Sequence, residues 1–232
     1  MSTILILGAS SGIGRQLTVQ LSESGHRIIG TYNLHSLTSS LPNVNYHHCN
    51  ILEDQPDFSF LPESLDGLVY CPGSILLKPF HRIKPDDFIE DYRLQVIGAI
   101  KTIQAALPAL KKGNNSSIIL FSTVAVETGL PFHSVVSSSK GALEGLTRAL
   151  AAEFLPTIRV NCIAPSLTDT PLAATLLNTE EKRTANAQRH PLKRIGTPHD
   201  ISDMAEFLLS EKSGWITGQV FHVDGWISRL KV

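Results

Sequence analysis

Residues Gly8-Ala9-Ser10-Ser11-Gly12-Ile13-Gly14 follow directly on a β-branched apolar run, Ile4–Leu7, and open a helical pattern with Ile13, Leu17 and Leu21 on one face. Few folds accept that junction. Three glycines within seven residues let the backbone turn sharply out of a strand, and the helix that follows leaves its first N–H groups without partners. Those groups, with the positive end of the helix dipole, suit an anion such as a pyrophosphate. A glycine-rich loop in isolation is turn chemistry as readily as a phosphate cradle. Placed between a first strand and a first helix, it points to a dinucleotide-binding α/β sheet.

The rest of the chain repeats the alternation. Strands are predicted at Ile4–Leu7, Arg27–Thr31, Val44–Cys49, Gly67–Cys71, Ser117–Phe121, Ile158–Ile163 and Gln219–Val223. Most are apolar throughout rather than alternating, the mark of a parallel sheet covered on both faces. Helices are predicted after the first strand with Gly25 as C-cap, over Asp86–Lys111, over Ser134–Leu155, and from the cap Thr197-Pro198-His199-Asp200 to Leu209. Pro42, Pro56 and Pro62 interrupt the stretches between Gly30 and Leu65, so short turns or loops are expected there and one face is lightly covered. With 232 residues and 42% hydrophobic content, this is one domain.

Composition excludes several classes. A net charge of −1 offers no basic field for nucleic acid. No apolar run is long enough to cross a membrane, and Met1–Leu7 lacks the features of a secretory leader, which together point to the cytoplasm. Cys49, Cys71 and Cys162 have no metal or redox spacing and read as buried thiols; no metal site is expected.

The glycine loop, Asn161-Cys162-Ile163-Ala164-Pro165-Ser166, Pro191-Leu192-Lys193-Arg194-Ile195-Gly196-Thr197-Pro198, Ile216-Thr217-Gly218-Gln219 and Val223-Asp224-Gly225 together resemble the short-chain dehydrogenase/reductase family, nearest to its 3-oxoacyl carrier-protein reductase branch. The likeness runs the whole length. It implies a single-domain Rossmann-like doubly wound α/β fold with a predominantly parallel seven-stranded sheet, helices on both faces, and a substrate lid over residues 167–194. It also implies a nicotinamide dinucleotide, a carbonyl or alcohol substrate, and a homodimer or homotetramer.

By that resemblance the dinucleotide meets Gly8, Ser10, Ser11, Gly12, Ile13, Gly14, Thr31, Tyr32, Asn33, Asn50, Ile51, Cys71, Pro72, Gly73, Lys140, Pro165, Ser166, Thr168 and Thr170, the last at the nicotinamide carboxamide. Members that use NAD carry an Asp at the end of the second strand, but Tyr32 stands here and no Asp or Glu occurs from Ser24 to Leu52. Arg15, His35, Thr31 and Tyr32 are candidates to share a 2′-phosphate, which favours NADP(H) over NAD(H); the alternative is that Arg15 only lies along the helix surface.

The family's catalytic Asn, Ser, Tyr and Lys fall on Gln95, Thr123, Val136 and Lys140. Lys140 is the one unchanged member and is expected to hold ribose hydroxyls. Thr123 keeps a hydroxyl, and Gln95 keeps an amide that reaches one methylene further. Val136 carries no proton, so the general acid of the family's reaction is absent. His133, a turn earlier, and Tyr70, at the end of the fourth strand, are the candidate replacements; a loop histidine and a strand-end tyrosine are the plain readings of both. The sequence therefore supports an NADP(H)-dependent oxidoreductase with an atypical site, or a dinucleotide-binding pseudoenzyme that senses cofactor or serves as a non-catalytic subunit.

Overall fold

The seven apolar runs pair in the order β3-β2-β1-β4-β5-β6-β7, every neighbour parallel. The strands are β1 (Thr3–Leu7), β2 (Arg27–Tyr32), β3 (Val44–His48), β4 (Gly67–Tyr70), β5 (Ser116–Phe121), β6 (Ile158–Pro165) and β7 (Val220–Val223). In this computed structural model the described residues are 1–34 and 41–229. Each predicted strand is present, with ends shifted by one or two residues.

Side-chain alternation along β1 divides the core. Ile4 and Ile6 face one layer with Leu17 and Leu21 of α1 (Gly12–Glu23) and Ile201, Ala205 and Leu208 of α7 (Pro198–Leu209). Leu5 and Leu7 face the other, with Ile103, Ala106 and Leu110 of α3 (Gly98–Leu110) and Leu143, Ala151 and Phe154 of α5 (Ser134–Phe154). Each fully buried Leu or Ile contributes roughly 1.5–3 kcal/mol of transfer free energy, which sets both strand register and helix face.

The crossovers into and out of β3 hold no helix among the described residues. Phe58, Phe60 and Leu61, from the loop after β3, pack on the core instead, and Phe60 stacks on His47 at 4.5 Å. Gly25 adopts φ +79° just past α1, as its predicted capping role requires.

One expectation is corrected. The single helix predicted over Asp86–Lys111 is α2 (Pro85–Tyr92), a π turn over Arg93–Ile97, and α3. Tyr70 explains the widening in part: its hydroxyl donates to Leu94 O at 2.5 Å, inside that turn. Gly98 leaves the room, since a Cβ there would lie 2.2 Å from Tyr70 Oη.

The remaining helices are α4 (Ala125–Thr128) and α6 (Glu180–Arg189). The latter lies in the segment expected to form a lid, which begins with a 3-10 turn at Pro171–Leu176. At the other end α7 carries a full capping box, Thr197 with Asp200.

Candidate active site

In an open parallel sheet, ligands bind beyond the carboxyl ends of the strands where the order reverses, here between β1 and β4. A cavity of about 700 Å³ occupies that place. Its wall runs from Gly8, Ser10, Ser11, Gly12, Ile13 and Gly14 past Thr31, Tyr32 and Asn33 to Ile51, Cys71, Pro72 and Gly73. It continues through Gln95, Thr123, His133, Val136 and Lys140 to Pro165, Ser166, Thr168 and Thr170, and closes under Leu172, Leu176, Arg189 and His190 of the lid.

The glycine loop is tightly built. Gly8 (φ +76°) and Gly12 (φ +52°) occupy the left-handed region, and a Cβ on Gly14 would sit 2.3 Å from Gly8 O. Thr31 fastens the loop from β2: its Oγ1 accepts from Gly8 N–H at 3.2 Å and its carbonyl from Ala9 N–H at 2.8 Å. Ser11, the residue before α1, makes no side-chain cap, and the first turn holds no acidic residue. The helix N-terminus thus faces the cavity with free donors and no competing carboxylate. These features fit a dinucleotide pyrophosphate.

A polar cluster lies at the cavity floor. Asp91, Gln95 and Lys140 are all buried. Gln95 Nε2 donates to Asp91 Oδ2 at 2.7 Å, Ser74 Oγ–H donates to Asp91 Oδ1, and Gln95 Oε1 is buried with no hydrogen-bond partner among the described residues. A Cβ on Gly73 would lie 3.4 Å from that Oε1 and 3.6 Å from Lys140 Nζ. Burial lowers the Lys140 ammonium to about 8, against the opposing pull of Cys162, Asp91 and Cys71. The Cys71 thiol, in the cavity wall, is pushed up to about 12 by burial and is not a reactive thiolate.

Asp91, Ser74 and His190 escaped the sequence reading. Asp91 lies one helical turn before Gln95, a spacing that puts both on one face and was there to be noticed. His190 was hidden because its partner, Ser166, lies 24 residues away.

Three sequence candidates stand differently from expectation. Tyr70 is 1% exposed, does not line the cavity, and spends its proton on Leu94 O, which removes it as a replacement acid; burial also raises its phenol well above the ordinary range. Asn50 is absent from the lining, and its Oδ1 accepts from Leu52 N–H at 3.2 Å. Arg15 is also off the lining: it lies near Tyr46, and its Nη1 is buried with no partner among the described residues. His35 lies outside the described residues. His133 does line the cavity, with Nδ1 2.7 Å from Pro131 O.

Residues 58–227 match the family model described as enoyl-(acyl carrier protein) reductase. The chain belongs to the short-chain dehydrogenase/reductase family. It is 30% identical to the L-xylulose reductase of Bos taurus over 95% of this chain and 94% of that protein. It is likewise 30% identical to a 3-oxoacyl-[acyl-carrier-protein] reductase of Thermotoga maritima over 95% of each. The aldohexose dehydrogenase of Thermoplasma acidophilum, at 24% identity, shares the fold with a TM-score of 0.90, covering 100% of this chain and 96% of that one. This short-chain dehydrogenase/reductase chain is thereby placed among oxidoreductases, with the family's seven-stranded sheet complete. Among the described residues no helix is long and apolar enough to cross a membrane, and no cluster of His, Cys, Asp or Glu is built to hold a metal.

Proposed function

We propose that this chain is an NADP(H)-dependent oxidoreductase that interconverts a small carbonyl compound and its alcohol, with a proton path unlike the family's. The observation that carries the reading is the continuous cavity, which joins the glycine loop, Lys140 and the lid in one volume. Bound there, a nicotinamide dinucleotide supplies or takes the hydride. The chain's own residues divide the remaining work. Free N–H groups at the start of α1 take the pyrophosphate, Lys140 holds ribose hydroxyls, Thr170, whose methyl lies 3.5 Å from where a Gly12 Cβ would be, stands over the loop, and Thr123 donates to the substrate oxygen.

The preference for NADP(H) is supported by β2 ending at Tyr32 on the cavity wall, with no carboxylate there to repel a 2′-phosphate. Leu77, Leu94, Leu130, Leu172, Leu176 and Ile227 give the substrate end an apolar wall, with Arg189 the cation on it. Ordinary family chemistry stops at Val136, which is 5% exposed and presents an isopropyl group to the cavity. That observation also favours a second reading, a dinucleotide-binding pseudoenzyme. We further infer a homodimer or homotetramer, checked by light scattering.

Calorimetric titration with NADPH and NADH, followed by a screen of aldehydes and ketones, tests both. Binding with turnover supports the reductase, binding without turnover supports the pseudoenzyme, and no binding to the folded protein refutes both.

A further inference from the structure

Ser166 and His190 meet on the cavity wall. Ser166 stands one residue beyond Pro165, whose carbonyl accepts from Val124 N–H at 3.2 Å, so β6 sets the serine beside the strand end that carries Thr123. The lid brings His190 to the same place at the C-terminus of α6. Its ring is 3% exposed, and its Nε2 lies 2.9 Å from Ser166 Oγ. The other ring nitrogen is 2.9 Å from Asn186 O.

A carbonyl oxygen has no proton to give, so Nδ1 carries one. In the neutral ring Nε2 is then a bare acceptor, and the Ser166 hydroxyl donates to it. Hydroxyl, imidazole and a fixed acceptor behind the imidazole form the arrangement in which a base sets the protonation of a hydroxyl. Packing locks the ring: a Cβ on Gly225 would lie 3.4 Å from His190 Cδ2. The charged groups that share the small adjoining cavity are already committed. Arg194 and Asp200 bond each other at 2.6 Å, and the Asp224 carboxylate accepts from Trp226 N–H and Ser228. None of them bonds Nε2.

We propose that Ser166, coupled to His190, supplies the proton that Val136 cannot. The inference rests on the reductase reading above. As the carbonyl carbon gains a hydride from the reduced dinucleotide, its oxygen takes the Ser166 Oγ proton. Ser166 Oγ in turn takes the Nε2 proton of the His190 imidazolium. A C–H and an O–H bond form, the C=O π bond is lost, the dinucleotide is oxidised, and His190 is left neutral with Nδ1–H still on Asn186 O. Solvent restores the imidazolium. Ser166 is the catalytic residue here, and His190 positions and recharges it.

The test uses the full chain as wild type, Ser166→Ala, Ser166→Thr and His190→Gln. Nitrogen-15 NMR of the ring, without cofactor, is expected to show Nδ1 protonated and Nε2 bare in the neutral form, with Ser166→Ala shifting the Nε2 signal. A proton on Nε2 of the neutral ring overturns the assignment. In single-turnover carbonyl reduction at saturating NADPH, Ser166→Ala and His190→Gln are expected to lose roughly 10²–10⁴-fold in rate. Ser166→Thr retains the rate. The wild-type rate falls as pH rises, and His190→Gln loses that dependence. An active wild type with an equally fast His190→Gln and the same pH profile sinks the relay alone. A wild type that binds no dinucleotide, or reduces no carbonyl, sinks the reductase reading and the relay with it. Should His190→Gln fail to fold, Ser166→Ala decides by the single-turnover rate at saturating NADPH and by the Nε2 signal.

Discussion

Gly14→Ala is the sharpest probe of the glycine loop. The added methyl would sit 2.3 Å from Gly8 O, 3.0 Å from Gly8 C and 3.2 Å from Cys71 Sγ. An ordinary contact begins near 3.4 Å, so the loop carbonyl and the helix start must separate by about 1 Å (3.4 − 2.3). Backbone on both sides leaves no flexible chain end to swing away. A displacement of that size at a positioned group costs on the order of 10²-fold, about 2.7 kcal/mol. Overpacking adds roughly 1–3 kcal/mol against folding, or about 2–12 °C of Tm for a domain of this size. Calorimetry with NADPH and differential scanning calorimetry read the two effects. Gly145→Ala is the matched control: also inside a helix, it has nothing within 4 Å of the new methyl. Replacing a mid-helix glycine there stabilises by roughly 0.5–1 kcal/mol, a Tm gain of about 1–4 °C. A Gly14→Ala protein that binds NADPH as tightly as wild type would refute both the close approach and the assignment of this loop to the cofactor.

Three more expectations follow from single side chains. Val136→Tyr places a phenol on the cavity wall one turn before Lys140 and is expected to raise carbonyl reduction by roughly 10²-fold, followed as loss of NADPH absorbance; a folded, NADPH-binding variant no faster than wild type counts against Val136 facing the substrate oxygen. Lys140 falls from its ordinary 10.5 to about 8 in the fold, so the unfolded chain binds more protons between those values and the lysine's contribution to stability rises with pH across that window. At pH 7 the buried charge then costs about 3 kcal/mol, and Lys140→Met is expected to melt several degrees higher there, to lose that advantage by about pH 10.5, and to bind dinucleotide poorly. Asp200, held low mainly by the Arg194 guanidinium, caps α7 as well; its stabilisation is complete above the ordinary carboxylate range and is lost as pH falls through the folded value. Asp200→Asn is expected to cost about 1 kcal/mol at pH 7, with the gap to wild type closing below about pH 4 in thermal melts.

Local patterns carried most of the fold. Apolar β-branched runs, a glycine loop at a strand end and a Thr-Pro-x-Asp cap each act over a few residues, and each appears where those patterns put it. The lack of a helix between β3 and β4 was equally legible, because Pro56, Pro62 and too few residues exclude one. What escaped depends on contacts between distant segments. The π turn answers Tyr70, a residue more than twenty positions earlier. Tyr70 itself looked available at the sheet's edge until α3 was packed over it. His190 reads as one more polar lid residue until α6 folds back onto Ser166. Val136 was plain in the sequence, but a stand-in for it was not, since a proton donor is defined by what it touches.

The π turn at Arg93–Ile97 also acts as a phase shifter. One added residue rotates everything beyond it by about 100° about the helix axis. Gln95, inside the turn, lines the cavity and holds Asp91, while Ile103, Ala106 and Leu110, on the same continuous rod, pack against the sheet. The insertion lets one element answer to two masters, and it ties any drift in the α3 core to the orientation of the Asp91–Gln95 pair.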